Sequence, residues 1–342
     1  MIEEILKDKL RNFLKKNRHL RQDRYVNVFE KRYILSPEDF VVTNYPRKPI
    51  AVFNPGALLF DKDVYIFPRL IFDYYNYTSS IGVFKISIED ILEGNFKKPI
   101  ETEIIIWPRE IWEFLGCEDP RIFVSDKDII ILYTGKGYID HNMIHRDVLA
   151  IYITDEKWNM KRKGFFKIVH ENEKYIPKSN KDSAFIDLKG NEGVILTRPH
   201  IEDVLIGWKS KVNLEEFTMP LESLEPIFPF EEWETKVGWS TNTIKISEEE
   251  YLVGWHAVVK RDLSYRNGFA IIDKNGKLLG TTDYVLMPEG LIEEYGDRAL
   301  VIFGDGLLMY KDLIIWIGGV GDYAIGVFIA EKDKIMQNMR NI

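Results

Sequence analysis

A single cysteine, Cys117, stands among 342 residues. No intrachain disulfide framework can therefore brace the fold, and a reducing compartment such as the cytoplasm suits the chain. With no catalytic partner beside it in sequence, Cys117 reads as a structural residue. Long apolar runs are also missing: nothing approaches the roughly 20 residues of a membrane-spanning helix. The opening MIEEILKDKLRNFLKKN lacks the apolar core of a secretion signal. Positive charge is in deficit, with 46 Lys and Arg against 54 Asp and Glu and a net charge of −8. A nucleic-acid partner, which needs a basic face to neutralise phosphates, is not expected, nor is a membrane. Walker and dinucleotide-binding glycine motifs are absent. His141 and His145 have the i, i+4 spacing of a helical metal pair, but DHNMIHRD reads as a polar insert between strands, so neither metal nor cofactor is expected.

What the sequence does have is apolar and aromatic bulk. Hydrophobic residues make up 45% of the chain, enough for a large core, and aromatics 13%, with 8 Trp and 17 Tyr. Such rings fill β cores and also stack on the apolar faces of sugars. Residues 1–20 place Ile2, Ile5, Leu6, Leu10 and Leu14 on one face of an amphipathic helix. That face either packs on its own domain or offers a contact for a homo-oligomer, and residues 1–30 are read as a helical extension. A short helix is expected near Ile88–Leu92.

From about residue 50 the pattern is β. Short runs rich in Ile, Val, Phe and Tyr alternate with turn residues, as in DVYIFPRLIF and RIFVSDKDIIILYTG. A phrase repeats: a polar opening, an apolar strand, a turn, and further strands. The openings fall at Asn54, Glu118, Lys181, Ser240 and Val301, about 60 residues apart. This predicts an all-β chain, a five-bladed β-propeller over residues 31–335 with an N-terminal helix, whose polar openings converge at one end of a central channel. The irregular stretch 209–236, with Pro220, Pro226 and Pro229, is expected as a long connection between the third and fourth units, lying over the cleft.

One opening carries recognisable chemistry. Cleaving a glycosidic bond takes a carboxylic acid to protonate the leaving oxygen and an attacking group on the opposite face of the sugar. Gly116-Cys117-Glu118-Asp119-Pro120-Arg121-Ile122 sets an Asp among apolar residues at a strand start. Pro120 is expected to keep Asp119 extended, and strand periodicity to project Arg121 from the same side. A structural Asp–Arg pair is the alternative.

GCEDPRI resembles the signature of glycoside hydrolase family 130, the mannoside phosphorylases and related mannosidases. NPGALLF with Asn54, VYIFPRL with Arg69, KDSAFID, LTRPH, GWHAVV followed by Tyr265, MPEGLIEEYGD and GGVGDYAIGV are similar to further family phrases in order, from about residue 35 to 332. The resemblance implies a five-bladed propeller and an inverting mechanism with Asp119 as acid, its proton passing through a mannosyl hydroxyl in the phosphorylases. It implies that Lys181, Arg198, His256 and Tyr265 bind phosphate, and that Asn54, Arg69, Arg121 and Asp322 contact the sugar. The activity implied is phosphorolysis of a mannose-containing oligosaccharide to mannose 1-phosphate, with inorganic phosphate as co-substrate and no cofactor.

Two departures keep other readings open. The family's Lys-Asn is Lys181-Asp182 here, and its Gly- and Pro-rich loop before the fourth unit is replaced by GWSTNTI. A carboxylate at 182 repels phosphate or serves as a hydrolytic base. An inverting β-mannosidase with Asp182 or a carboxylate of Glu231–Glu234 as base is the alternative activity, and a non-catalytic sugar-binding propeller the third.

Overall fold

The β-rich runs after residue 50 become successive antiparallel meanders in the computed structural model, which describes residues 1–16, 19–125, 128–140 and 142–342; they fall into four hydrogen-bonded sheets, the first two meanders sharing a nine-stranded one through a parallel bridge from Ser79 to Gly116. The first is built from Ala51–Phe60, Asp63–Ile71, Ser79–Ser87 and Ile100–Ile106. The second uses Gly116–Val124, Ile129–Ile139, Ile144–Thr154 and Met160–Phe165. The third uses Asn180–Lys189, Glu192–Pro199, Gly207–Asn213 and Glu225–Phe228, and the fourth Glu234–Lys245, Glu250–Val259, Tyr265–Asp273 and Leu278–Thr281. The fifth contributes Ile302–Tyr310, Leu313–Val320 and Ala324–Glu331, and draws its remaining strand from the other end of the chain. There Lys31–Leu35 pairs antiparallel with Ala324–Glu331, from Lys31 opposite Ile329 to Leu35 opposite Ile325. The mostly β character agrees with the sequence.

The first strand of each meander is buried along most of its length. These strands contact one another in a cycle, first to second and onward, with the fifth returning to the first. A strand covered on both faces has no use for polar alternation, and these segments accordingly lack it, a polar opening being followed by apolar residues as in Asn54-Pro55-Gly56-Ala57-Leu58-Leu59. Large rings fill the space between meanders: Trp208, Trp239, Trp255 and Trp316 are fully buried.

The N-terminal helix α1, Ile2–Lys15, settles one of the two readings of its apolar face. Ile2, Leu6 and Leu10 are buried in the same cluster as Ile168, Met219, Leu221 and Leu224. Each such side chain contributes about 1.5–3 kcal/mol by leaving water. Lys9 Nζ fastens the helix by donating to the Leu221 and Leu224 carbonyls at 2.6 and 2.9 Å. The face is thus covered by the helix's own chain, and a second copy meeting α1 would meet its polar side. The stretch 209–236 differs from expectation. It does not arch over the cleft but forms Thr218–Pro220 and Glu225–Phe228 at the outer side of the third sheet, beneath α1. Pro226 sits in the edge strand Glu225–Phe228, where a missing N–H costs nothing, whereas Thr218–Pro220 lies between Lys167–His170 and Gly207–Asn213. The short helix near residue 88 is present as Ile88–Glu93. Among the described residues no helix is long and apolar enough to cross a membrane.

Candidate active site

The polar openings share one local device. In each meander's first strand the ladder slips at a corresponding place: between Phe53 and Gly56, Glu118 and Arg121, Lys181 and Ala184, Trp239 and Thr243, and Gly304 and Gly306. A bulge inserts an unpaired residue, kinks the strand and re-aims a side chain. The residues so released are Asn54, Asp119, Asp182, the Ser240–Asn242 stretch and Asp305. Asn54, Asp119 and Asp182 adopt left-handed φ angles of 43°, 55° and 54°. Asn and Asp tolerate this region best among residues with a Cβ, at a cost of about 1–2 kcal/mol. The expectation that Pro120 holds Asp119 extended therefore fails, because the bulge dictates the backbone there. It also breaks the two-residue alternation that was to put Arg121 beside Asp119.

Of these, Asn54, Asp119 and Asp182 meet in a cavity of about 140 Å³ lined also by Arg69, Glu118, Lys181, Arg198, Lys236, His256, Tyr265, Arg298, Val301, Phe303 and Asp322. A larger cavity of about 530 Å³ lies by Tyr45, Phe72 and Trp107, but Arg47 and Asp73 are the charged groups lining it. Convergent ionisable groups, not volume, mark a reactive site, so the smaller cavity is the candidate.

One wall centres on Asp119. Asn54 Nδ2 donates to its Oδ1 at 2.9 Å, and Arg69 reaches the same oxygen at 3.3 Å. Arg69 also grips Glu118 at 2.7 Å and lies over the rings of Phe53 and Tyr77. Among the described residues no protein hydrogen bond reaches Asp119 Oδ2. Asp322 completes this wall, and burial raises its carboxyl above the ordinary range.

A cationic group shares the cavity: Lys181, Arg198, Lys236 and Arg298 all line it. Lys236 Nζ donates to the Tyr265 hydroxyl at 2.7 Å, and Arg298 lies over the Tyr265 ring. Burial, then the nearby Arg198 charge, lowers Lys236 to about 7. Burial opposes the charge on Lys181, but Glu118 and Asp182 outweigh it and the net shift is upward. Burial pushes the His256 imidazole well below its usual value, so it is neutral near pH 7. Its Nδ1 is 3.0 Å from Ser240 Oγ. Asp182 sits among these groups, with Oδ2 2.6 Å from Arg198 Nε and 3.6 Å from His256 Nε2. Burial would raise its carboxyl, yet Arg198, then His256 and Arg121, hold it well below the carboxylate range.

Eight of the nine residues nominated from sequence line this cavity: Asp119, Lys181, Arg198, His256, Tyr265, Asn54, Arg69 and Asp322. Arg121 does not, and its assignment to the sugar is corrected. It is 2% exposed, donating to the backbone carbonyls of Asp119 at 2.9 Å and Ser240 at 2.6 Å, with Asp305 2.8 Å away. Arg121 ties three bulges together behind the cavity, and burial raises the Asp305 carboxyl well above its ordinary range. Sequence reasoning missed Lys236 and Arg298. Lys236 precedes the Val237-Gly238 that leads into the fourth opening, so its strand position was readable. Arg298 lies in an irregular turn and carried no signal. Of the proposed hydrolytic bases, Glu231 and Glu234 lie outside the cavity: Glu234 pairs with Arg21, and Glu231 accepts from the Leu20 and Arg21 amides. His145 stands near Asp147, 3.7 Å away, whereas His141 lies outside the described residues.

Comparison with known proteins adds independent findings. The model of glycoside hydrolase family 130, described as beta-1,4-mannooligosaccharide phosphorylase, matches residues 19–341. A beta-1,2-mannobiose phosphorylase of Thermoanaerobacter sp. (strain X514) is 29% identical over 266 residues, covering 76% of this chain and 80% of that protein. Among solved structures, a beta-1,2-mannobiose phosphorylase from Listeria innocua in complex with beta-1,2-mannobiose superposes with a TM-score of 0.64 at 16% identity, over 90% of this chain and 98% of the other. A mannose phosphorylase from Leishmania mexicana in complex with phosphate ion gives a TM-score of 0.59 at 14% identity, over 99% and 96%.

Proposed function

Because the chain belongs to glycoside hydrolase family 130, we propose that it cleaves β-mannosides by inverting phosphorolysis, with inorganic phosphate as the attacking group. We read the five meanders as the blades of a five-bladed propeller. The recurring bulge in each first strand, the cycle of contacts among those strands and the pairing of Lys31–Leu35 with the fifth sheet support that reading.

The roles follow from the two groups of side chains. Asp119, with Oδ1 held by Asn54 and Arg69, gives a proton to the leaving glycosidic oxygen. Arg69 then offsets the carboxylate that forms. Glu118, Asn54 and Asp322 are placed to hold sugar hydroxyls. Lys181, Arg198, Lys236 and Arg298 gather the charge of phosphate, while neutral His256 and the Tyr265 hydroxyl supply hydrogen bonds. A phosphate oxygen bonds to the anomeric carbon as the bond to the leaving oxygen breaks. Attack from the opposite face turns the β-linkage into an α-phosphate. The proton phosphate loses restores Asp119, so the net reaction is mannoside plus hydrogen phosphate to α-mannose 1-phosphate plus the shortened sugar.

The observation that carries this reading is that four basic side chains, Lys181, Arg198, Lys236 and Arg298, line the same cavity as Asp119. Inverting hydrolysis asks instead for a carboxylate base about 6.5–9.5 Å from the acid with water between them. Asp182 is ion-paired with Arg198, and Glu231 and Glu234 are engaged by the segment around Arg21. The test is product analysis of β-1,2- and β-1,4-mannobiose with and without phosphate. Mannose 1-phosphate formed only with phosphate supports the proposal, and free mannose at equal rate in both arms defeats it.

A further inference from the structure

The carboxylate that made hydrolysis an open alternative has a different geometry from a base. We propose that Asp182 is a positioning residue for the phosphate ion, holding Arg198 by its Nε edge so that the terminal nitrogens are left for the ligand. This rests on the phosphorolysis reading and assigns a task inside it that neither the family nor its relatives' descriptions give to this residue.

Three observations support it. Asp182 is 2% exposed, with Oδ2 2.6 Å from Arg198 Nε in an ion pair that completes no hydrogen bond, and Arg198 Nη1 is likewise buried with no hydrogen-bond partner among the described residues. A guanidinium held on one edge presents a fixed fork on the other, the geometry that grips two oxygens of an anion. Second, Asp182 faces three cations and a neutral imidazole: Arg198 on the neighbouring strand, Arg121 at 3.9 Å, Lys181 beside it, and His256 Nε2 at 3.6 Å. A base needs a lone pair open to water, whereas these groups surround the carboxylate and stabilise its charge. It also offsets part of the repulsion among Lys181, Arg198 and Lys236, which burial would otherwise leave uncompensated. Third, the adjacent strand makes room for the pair. A Cβ on Gly238 would stand 2.6 Å from Asp182 Oδ2 and 2.8 and 2.9 Å from Arg198 Cδ and Nε. Real Cβ atoms do not approach so closely, so glycine at 238 is a condition of this ion pair.

Two substitutions test the assignment by different routes. Asp182→Asn removes the charge, and Gly238→Ala keeps every charge but wedges the pair apart. If the asparagine variant fails to fold, judged by circular dichroism, the alanine variant carries the test. Each is expected to raise KM for inorganic phosphate by about tenfold or more, the scale of one lost charge-assisted contact. KM for mannobiose should stay within about twofold and kcat within about threefold, since neither substitution touches the Asp119 wall. A phosphate KM that is unchanged or lower overturns the proposal, the latter showing that Asp182 only repels the anion. Loss of turnover at every phosphate concentration, with phosphate binding by calorimetry unchanged, also overturns it and restores a chemical role. A wild-type protein that neither binds phosphate nor needs it for turnover would instead defeat the phosphorolysis reading itself.

Discussion

Among the described residues Asp119 is held through Oδ1, which both Asn54 and Arg69 reach, and the side chain lines the cavity. An acid so fixed is aimed by its neighbours. Asp119→Asn should lower kcat by about 10²–10⁴-fold, the range of a lost general acid, while leaving mannoside binding within a few-fold. Steady-state kinetics with calorimetric binding would check both halves. In the same cavity Lys236, lowered to about 7, gives a pH signature. It is cationic below that value and neutral above, so its attraction for phosphate fades as pH rises through neutrality. KM for phosphate should climb between about pH 6 and about pH 9, and Lys236→Met should flatten that climb. A variant profile parallel to wild type would assign the titration elsewhere. Residue identities were legible where a motif marked them, as with Asp119 in EDPR. Arg121 was misread because a bulge breaks strand alternation, and no local pattern reports a bulge. Arg298 was invisible because its place in the cavity comes from the turn's path in space, not from its neighbours in sequence.

Among the elements, the segment after α1 carries more than its composition announces. Arg21 is fully buried, donating through Nε to Glu234 at 2.9 Å and through NH2 to the Pro229 carbonyl at 2.9 Å, between the rings of Phe228 and Trp255. Glu231 accepts the Leu20 and Arg21 amides, and Tyr284 donates to Glu234. A buried charge with its partner removed is costly, so Arg21→Ala should destabilise the fold by about 3–5 kcal/mol, read from urea denaturation. Turnover at low temperature should be nearly unchanged, because Arg21 is not in the cavity. Unaltered stability would mean that the segment merely rests on the surface. The strands themselves were readable from turn-punctuated apolar runs, and α1 from its spacing. What α1 covers was not readable, since an amphipathic face looks the same against its own chain or another. The stretch 209–236 misled for a related reason: prolines mark an edge strand as readily as a loop, and the partner strand decides.

At the scale of the whole molecule, segments from Asn54 to Asp322 bring Asp119, held by Arg69, and four further basic side chains into one cavity, although the chain carries a net charge of −8. Local accumulation of positive charge inside an acidic protein is a focused field, suited to a small anion and of no use to nucleic acid. The repeat spacing exposed a succession of strand-rich segments, but the depth at which each opening projects depends on the bulges and on how first strands pack. The most direct measurement is ³¹P NMR of the purified protein incubated with β-mannobiose and inorganic phosphate. The account predicts a growing resonance of α-mannose 1-phosphate, one equivalent for each disaccharide consumed, and no consumption when phosphate is left out. Disaccharide consumed at the same rate without phosphate, or a β-phosphate product, would contradict it.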